Sequence, residues 1–144
     1  MVNYADTGFI VSLYLEELTS ERARAAMASL KQPLALTPLL RLEMRNAFNL
    51  AVNRKRINAA QRNGHLAAVE ADIANGVLVE VVPSSGDLYR GAAELSDRYT
   101  PTLAARSLDL LHVAAAVLLG AKVFYSFDER QRKAAAGERL KVKP

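Results

Sequence analysis

Three aspartates in this sequence have settings in which a carboxylate could carry chemistry. Asp6 and Asp128 each follow a short apolar segment. Asp109 lies in the run Ser-Leu-Asp-Leu-Leu-His-Val-Ala-Ala-Ala, where burying a carboxylate costs free energy unless something compensates its charge. A bound cation would compensate that charge, and so would an ion pair with Arg106 one helical turn earlier. Asp109 therefore indicates either a cation site or a structural ion pair.

Each candidate also has an ordinary structural role. An aspartate that directly follows a strand is commonly a turn former or a helix cap. Glu43 stands between Arg41 and Arg45 on a predicted helix, which is typical of a solvated charged face. His112 follows Asp109 by three residues but has no second histidine nearby, so the sequence favours a hydrogen-bonded helix residue over a metal ligand.

The elements that would position these residues alternate between strands and helices. Apolar segments predict strands at 2–6, 33–37, 77–82 and 122–126, with a short edge strand at 140–142. Helical spacing and capping residues predict helices at 20–30, 38–54, 59–75, 85–98, 107–119 and 129–137. The expected caps are Thr37, Ser107, the capping-box pairs Asn58 with Gln61 and Ser84 with Asp87, and the terminating Gly76. Pro101 is expected to interrupt the fourth of these helices and to leave 99–105 as a loop.

Alternating strands and helices predict an α/β fold. We expect a mostly parallel central sheet of about five strands, with helices on both faces. In such sheets the functional crevice lies outside the carboxyl ends of the strands. Asp6 and Asp128 are therefore expected to face the same crevice.

Length and composition limit the remaining possibilities. A chain of 144 residues with 51% hydrophobic content predicts one domain, 1–144. The absence of cysteine excludes disulfides and thiolate ligands and suits a reducing compartment, so we expect a cytoplasmic protein. The apolar stretch 110–121 is too short to cross a bilayer, and no export signal precedes Asp6, so no membrane association is expected. The net charge of +4 suits a polyanion or an acidic protein partner.

Taken together, the acids resemble those of a known family. They stand in Tyr-Ala-Asp6-Thr-Gly, Leu-Glu43-Met-Arg-Asn-Ala-Phe, Ser-Leu-Asp109-Leu-Leu-His and Ser-Phe-Asp128-Glu-Arg-Gln. Their order and settings resemble the acidic quartet of PIN-domain nucleases, particularly the VapC-type toxins, over essentially the whole chain. Gly8 is a minor departure, since serine or asparagine is frequent there in the family.

The resemblance implies a site and a chemistry. Asp6 and Asp109 would be metal ligands, Glu43 and Asp128 would complete the acidic pocket, and Thr7 and Ser126 would be supporting hydroxyls. Carboxylates suit Mg²⁺ or Mn²⁺, which prefer oxygen ligands and promote phosphodiester hydrolysis. The implied activity is a metal-dependent endoribonuclease. The implied partners are an RNA substrate, a cognate antitoxin protein, and a second copy of the chain in a homodimer within a larger toxin–antitoxin assembly.

RNA binding at an acidic pocket also requires positive charge around it. The sequence offers a pool of basic side chains from which some would contact phosphates: Arg41, Arg45, Arg54, Lys55, Arg56, Arg130, Arg132 and Lys133.

Other proteins with acidic pockets fit less well. A receiver domain would need a phosphoacceptor aspartate after the middle strand, yet the strand at 77–82 leads into Pro83. Haloacid-dehalogenase-like enzymes usually carry a second acid two residues after the first, where Gly8 stands. A PIN-domain nuclease of RNA processing and a non-catalytic binding module with an acidic pocket both remain as alternatives.

Overall fold

The computed structural model describes all 144 residues and contains five short strands, all of them parallel. The strands are β1 (Tyr4–Ala5), β2 (Leu34–Leu36), β3 (Leu78–Glu80), β4 (Val123–Tyr125) and β5 (Lys141–Lys143). The helices are α1 (Thr7–Ser12), α2 (Ser20–Ala28), α3 (Pro38–Asn53), α4 (Ala59–Ala74), α5 (Ser85–Leu103), α6 (Ser107–Leu118) and α7 (Glu129–Gly137).

The strands form a three-stranded sheet of order β1-β4-β5 and a two-stranded sheet, β2-β3. A single parallel bridge between Asn3 and Leu34 connects the two. Asn3 donates to the carbonyl of Pro33 at 2.8 Å and accepts from the amide of Ala35 at 2.9 Å. The prediction of about five mostly parallel strands is therefore confirmed, although the ladder is interrupted beside β1.

Helices cover both faces of the sheet. Tyr4 and Phe124 are paired across β1 and β4 and stack on each other, and Tyr4 also contacts His112 of α6. The next residue of β4, Tyr125, contacts Phe9 of α1. Successive strand residues point to opposite faces, so α6 and α1 lie on opposite sides of the sheet, as the α/β prediction requires.

Local capping signals set several helix boundaries as expected. Thr37 accepts a hydrogen bond from the amide of Leu40 at the start of α3. Asn58 and Gln61 form the predicted capping box at the start of α4. Gly76 follows that helix with φ of +74°, in the left-handed region where glycine has no steric penalty.

The helix α1 was not predicted, and it places Asp6 at its N-cap. The side chain of Asp6 accepts from the amide of Phe9, while its backbone is still extended. Asp6 therefore caps a helix, which is an ordinary role for an aspartate after a strand, and it also belongs to the set of four candidate acids.

The prediction of a loop at 99–105 is wrong, because α5 continues through Pro101 to Leu103. Proline removes only one amide, and the helix ends two residues later at Leu103, where the C-cap Ala104 has φ of 53°. Tyr99 and Arg98 also hydrogen-bond the carboxylate of Glu138, beyond the end of α7, at 2.6 and 2.9 Å. These tertiary contacts hold the last turn of α5 against the local preference of proline.

Two capping predictions are wrong in detail. Ser84 is the N-cap of α5, but its side chain makes no capping hydrogen bond, and Asp87 pairs with Arg90 instead. The N-cap of α6 is Arg106 rather than Ser107, because the Asp109 carboxylate accepts the backbone N–H of Arg106.

The apolar stretch 110–121 is expected to be a buried helix, and it is one only in its first part. Residues 109–116 of α6 are all buried, but Val117 and Leu118 are exposed and the helix ends at Leu118. None of the helices is both long enough and apolar enough to span a membrane.

Gly137, the last residue of α7, packs closely against Tyr99 of α5. A Cβ at this position would lie 2.2 Å from Tyr99 Oη and 2.7 Å from Cζ. We expect Gly137→Ala to lower the free energy of unfolding by about 1–3 kcal/mol in urea titrations, because overpacking displaces the ring. Gly86→Ala is the control, since nothing lies within 4 Å of its Cβ. Equal unfolding midpoints for the two variants would contradict the packing described here.

Candidate active site

The site begins where β1 and β4 end side by side. Ala5 pairs with Tyr125, so the residues that follow them, Asp6 and Ser126, are neighbours. Ser126 Oγ donates to Asp6 Oδ2 at 2.5 Å, and the amide of Phe9 donates to Asp6 Oδ1 at 2.8 Å. Both side chains are buried. The Asp6 carboxylate is thus fixed by one donor on each oxygen.

Asp128 joins the same cluster through Ser126. The amide of Asp128 donates to Ser126 Oγ at 3.0 Å, and Asp128 Oδ1 accepts from the amide of Gln131 at 3.0 Å as the N-cap of α7. The negative charge of Asp128 also contributes to raising the pKa of Asp6. The structure therefore brings these two acids together, as their positions after strands predicted.

Asp109 enters the cluster from α6 and is buried. Gln131 Nε2 donates to Asp109 Oδ1 at 3.0 Å. The backbone N–H of Arg106 and its Nε lie 3.2 and 3.3 Å from Oδ2. The ion pair that the sequence offered as one alternative is present, but the Arg106 side chain is 71% exposed, so solvent screens much of its stabilising effect.

Glu43 does not lie on a fully solvated charged face, since its side chain is only 25% exposed. Glu43 Oε1 accepts from Thr7 Oγ1 at 2.8 Å and lies 2.6 Å from His112 Nε2. His112 Nδ1 in turn lies 2.9 Å from the hydroxyl of Tyr4. His112 is thus the hydrogen-bonded helix residue that its sequence setting favoured.

The Glu43 carboxylate, which can only accept, and the Tyr4 hydroxyl together suit one tautomer of a neutral His112 ring. Burial raises the pKa of Tyr4 far above the physiological range, so its hydroxyl stays protonated and can donate to His112 Nδ1. The remaining ring nitrogen, Nε2, then carries the proton and donates to Glu43. Every polar atom of this buried relay has a partner in that arrangement.

The environments of Asp6 and Glu43 shift their acidities in opposite directions. Burial raises the pKa of Asp6, and the hydrogen bonds from Ser126 and Phe9 only partly offset it. Burial would also raise the pKa of Glu43, but hydrogen bonds from His112 and Thr7 lower it below the ordinary value. Glu43 is therefore the more acidic of the two groups in the metal-free protein.

The chemistry of this donor set fits a hard divalent cation bound largely through water. No group of three acidic or histidine side chains converges closely enough to hold a metal directly. Only one oxygen of Asp128 and one of Glu43 is engaged in a hydrogen bond, which leaves Asp128 Oδ2 and Glu43 Oε2 available. Mg²⁺ commonly takes one or two carboxylates and keeps several waters, so a compact set of three is not required. The metal assignments of all four acids stay predictions.

The predicted basic residues occupy different surroundings. Arg41 bridges Glu70 and Glu80 at 2.6 and 2.7 Å, and Arg56 pairs with Glu17, so acids of the protein itself already engage both. Arg132, on the same helix turn as Gln131, donates to the carbonyl of Ser126 at 2.7 Å. The remaining members of the pool are exposed: Arg45, Arg54, Lys55, Arg130 and Lys133.

Sequence reasoning missed two residues of the site. Gln131 links Asp128 to Asp109, and its signal was its position three residues after a capping aspartate. Tyr4 orients His112, and nothing in the sequence distinguishes it from an ordinary core aromatic.

The raised pKa of Asp6 has a consequence for stability. A carboxyl whose pKa is higher in the folded than in the unfolded state loses its favourable contribution as pH rises through the folded value. We therefore expect Asp6→Asn to raise the thermal midpoint in chelator at pH 7–8, by roughly 3–4 °C for each kcal/mol gained. The gain should vanish as the pH falls below the ordinary range of aspartate. Exposed Asp97 supplies the control, Asp97→Asn, and an equal gain in both variants would contradict the burial effect.

The hydrogen bonds that run from Tyr4 through His112 to Glu43 make Tyr4 a second position to test. Tyr4→Phe leaves His112 Nδ1 buried without a donor, which should cost about 1–3 kcal/mol of unfolding free energy. Tyr125→Phe is a matched change one strand away, because burial is the sole cause of the raised pKa of Tyr125 and no hydrogen bond contributes. We expect Tyr125→Phe to stay within about 0.5 kcal/mol of wild type. Two equal losses in chemical denaturation would show that the relay adds no stability.

Comparisons with solved structures match the fold as a whole. Mycobacterium tuberculosis VapC20, described as a sarcin–ricin loop cleaving toxin, is 19% identical with a TM-score of 0.69, over 98% of each chain. FitAcB from Neisseria gonorrhoeae is 16% identical with a TM-score of 0.68, over 100% of this chain and 97% of that one. VapBC2 from Rickettsia felis, solved with a promoter DNA fragment, is 14% identical with a TM-score of 0.66, over 99% and 98%.

A search of curated proteins found no match. The family model of the PIN domain, however, matches residues 4–137, a range that contains all four acids, the strands that precede Asp6 and Asp128, and the helices that carry Glu43 and Asp109. With that match and the parallel fold described above, the chain belongs to the PIN-domain family.

Proposed function

We propose that this protein is a metal-dependent endoribonuclease and the toxin of a type II toxin–antitoxin pair. The observation that carries the proposal is a connected set of hydrogen bonds at the carboxyl ends of β1 and β4. Through Ser126 and Gln131 it links Asp6, Asp128 and Asp109. Glu43 joins through Thr7, the residue next to Asp6. Membership in the PIN-domain family supports nuclease chemistry at this acidic site.

Asp6 and Asp109 would hold a Mg²⁺ or Mn²⁺ ion, and Glu43 and Asp128 would bind a second ion or orient the attacking water. Such an ion supplies an activated water and offsets charge that builds on the phosphate. The carboxylate oxygens of these four acids suit either metal. Hydrolysis by this route would leave a 5′-phosphate and a 3′-hydroxyl.

The surrounding residues hold the carboxylates in place before any substrate arrives. The hydroxyl of Ser126 and the amide of Phe9 fix the orientation of Asp6. Hydrogen bonds from His112 and Thr7 lower the pKa of Glu43, so Glu43 stays ionised and its free oxygen can accept a hydrogen bond from the attacking water and orient it. The buried cluster therefore needs little rearrangement to act.

Substrate binding would depend on positive charge at the edge of the pocket. Carboxylates alone repel an RNA backbone. Arg106 and Arg130 are exposed on helices that begin at the acidic cluster, and Arg132 lies beside Ser126. Arg106 and Arg132 also pair with acids, Asp109 and Glu129, but unlike Arg41 and Arg56 they lie at the acidic cluster, and Arg130 makes no ion pair. These three arginines are therefore the proposed phosphate contacts.

The proposed partners follow from the structural relatives. One relative is a toxin described as cleaving the sarcin–ricin loop, and another is a VapBC protein solved with promoter DNA. We propose that this chain cleaves RNA in the cytoplasm, forms a homodimer and is inhibited by a cognate antitoxin. The acidic pocket would suit a basic residue of that antitoxin.

The decisive assay is cleavage of a mixed cellular RNA pool by the purified chain, freed of any bound partner, with Mg²⁺, with Mn²⁺ and with chelator. We expect cleavage with metal only, and a loss of roughly 100-fold or more in Asp6→Asn and in Asp109→Asn. Sequencing of the fragment ends would identify the RNA target.

Circular dichroism should show that both variants remain folded, and Asp97→Asn serves as the active control because it changes an exposed carboxylate away from the cluster. Full activity in Asp6→Asn and Asp109→Asn would refute the proposed site. Intact RNA with the wild-type protein under every metal condition would favour a binding module with an acidic pocket.

A further inference from the structure

Gln131 has the one buried side-chain polar atom of the protein that lacks a hydrogen-bond partner. The residue is only 7% exposed. Its amide nitrogen, Nε2, donates to Asp109 Oδ1 at 3.0 Å, whereas Oε1 is buried and unpaired. Buried polar atoms in folded proteins almost always have a partner, so the unpaired carbonyl oxygen of Gln131 is suited to accept a hydrogen bond from a bound group.

The position of Oε1 restricts what that donor can be. Oε1 and Nε2 belong to the same amide group, so Oε1 lies beside the Asp109 carboxylate that Nε2 contacts. An amide oxygen next to a carboxylate creates a region that favours positive charge. A water molecule that donates to Oε1, or the hydration shell of a cation, would satisfy it.

The backbone of Gln131 connects this oxygen to the rest of the cluster. Its amide donates to Asp128 Oδ1, and Asp128 reaches Asp6 through Ser126. One residue therefore orients two carboxylates, Asp109 with its side chain and Asp128 with its main chain. No other residue of the cluster contacts both of these acids.

We propose that Gln131 is a positioning residue for the divalent cation: its Nε2 holds Asp109, and its Oε1 accepts a hydrogen bond from the hydrated ion. This inference rests on the proposed metal site but not on the identity of the substrate. This inference gives the Gln131 side-chain amide a role. The capping of α7 by Asp128 involves only the backbone of Gln131 and does not require that side chain.

The test measures Mn²⁺ affinity in the absence of RNA, by electron paramagnetic resonance of free Mn²⁺ and by calorimetry. Gln131→Met keeps the length of the side chain but removes both the donor and the acceptor. We expect it to weaken Mn²⁺ binding at least about 10-fold, as loss of groups that orient metal ligands does. Gln32→Met is the matched control, because Gln32 is exposed in the segment between α2 and β2.

Gln131→Glu separates the two atoms of the amide. It keeps an acceptor at the position of Oε1 but places a second carboxylate oxygen against Asp109. We expect Mn²⁺ to bind this variant at least as tightly as wild type, while its thermal midpoint in chelator falls because the two carboxylates repel. A residue with a purely structural role would change the thermal midpoint without changing Mn²⁺ affinity.

The outcomes distinguish this inference from the proposed function. Unchanged Mn²⁺ affinity in Gln131→Met overturns it, and if that variant fails to fold, loss of Mn²⁺ binding by folded Gln131→Glu does so. Absence of Mn²⁺ binding by the wild type contradicts both this inference and the metal site. Mn²⁺ binding that depends on Gln131, in a protein that leaves RNA intact, contradicts the nuclease alone.

Discussion

Burial of the Asp6 carboxylate is the constraint on which the rest of the site depends. A buried carboxylate costs several kcal/mol unless hydrogen bonds or charge compensate it. The donors come from two distant parts of the chain, the Phe9 amide of α1 and the Ser126 hydroxyl after β4. The Phe9 amide is placed locally by the start of α1, whereas the Ser126 hydroxyl reaches Asp6 only because β1 pairs with β4. The sheet and the site therefore form together.

The donors only partly offset the cost of burial, since the pKa of Asp6 remains raised. A divalent cation would lower the free energy of this arrangement further, because it stabilises the charged form that burial disfavours. Burial of the Asp6 carboxylate lowers stability without metal, and the same burial would favour binding of a cation. The stability of the fold and the proposed metal chemistry are therefore linked through Asp6.

Helix starts carry much of the site. Asp6 caps α1, Asp128 caps α7, and Asp109 lies in the first turn of α6. The N-terminus of a helix carries a partial positive charge and free amides, both of which stabilise a nearby carboxylate. A structural capping role and a place in the acidic cluster are thus compatible in one residue, and they need not be treated as competing interpretations.

The sequence by itself determined the features that depend on neighbouring residues. Alternating elements predicted the parallel α/β fold, and Asn58 with Gln61 and Gly76 marked helix boundaries through local hydrogen bonds and backbone conformation. The positions of Asp6 and Asp128 after strands also predicted that they meet, because parallel strands end at one edge of the sheet. Local rules failed at Pro101, where contacts with Glu138 from a distant segment keep α5 helical.

Only the tertiary structure decided which groups satisfy each carboxylate. Gln131 with Asp109, and Tyr4 with His112 and Glu43, are separated by 22 to 108 residues along the chain. Hydrogen bonds act over about 3 Å and depend on direction, so no spacing in the sequence encodes them. The sequence could name acids that need compensation, but the partners that provide it are set by how the sheet and helices pack.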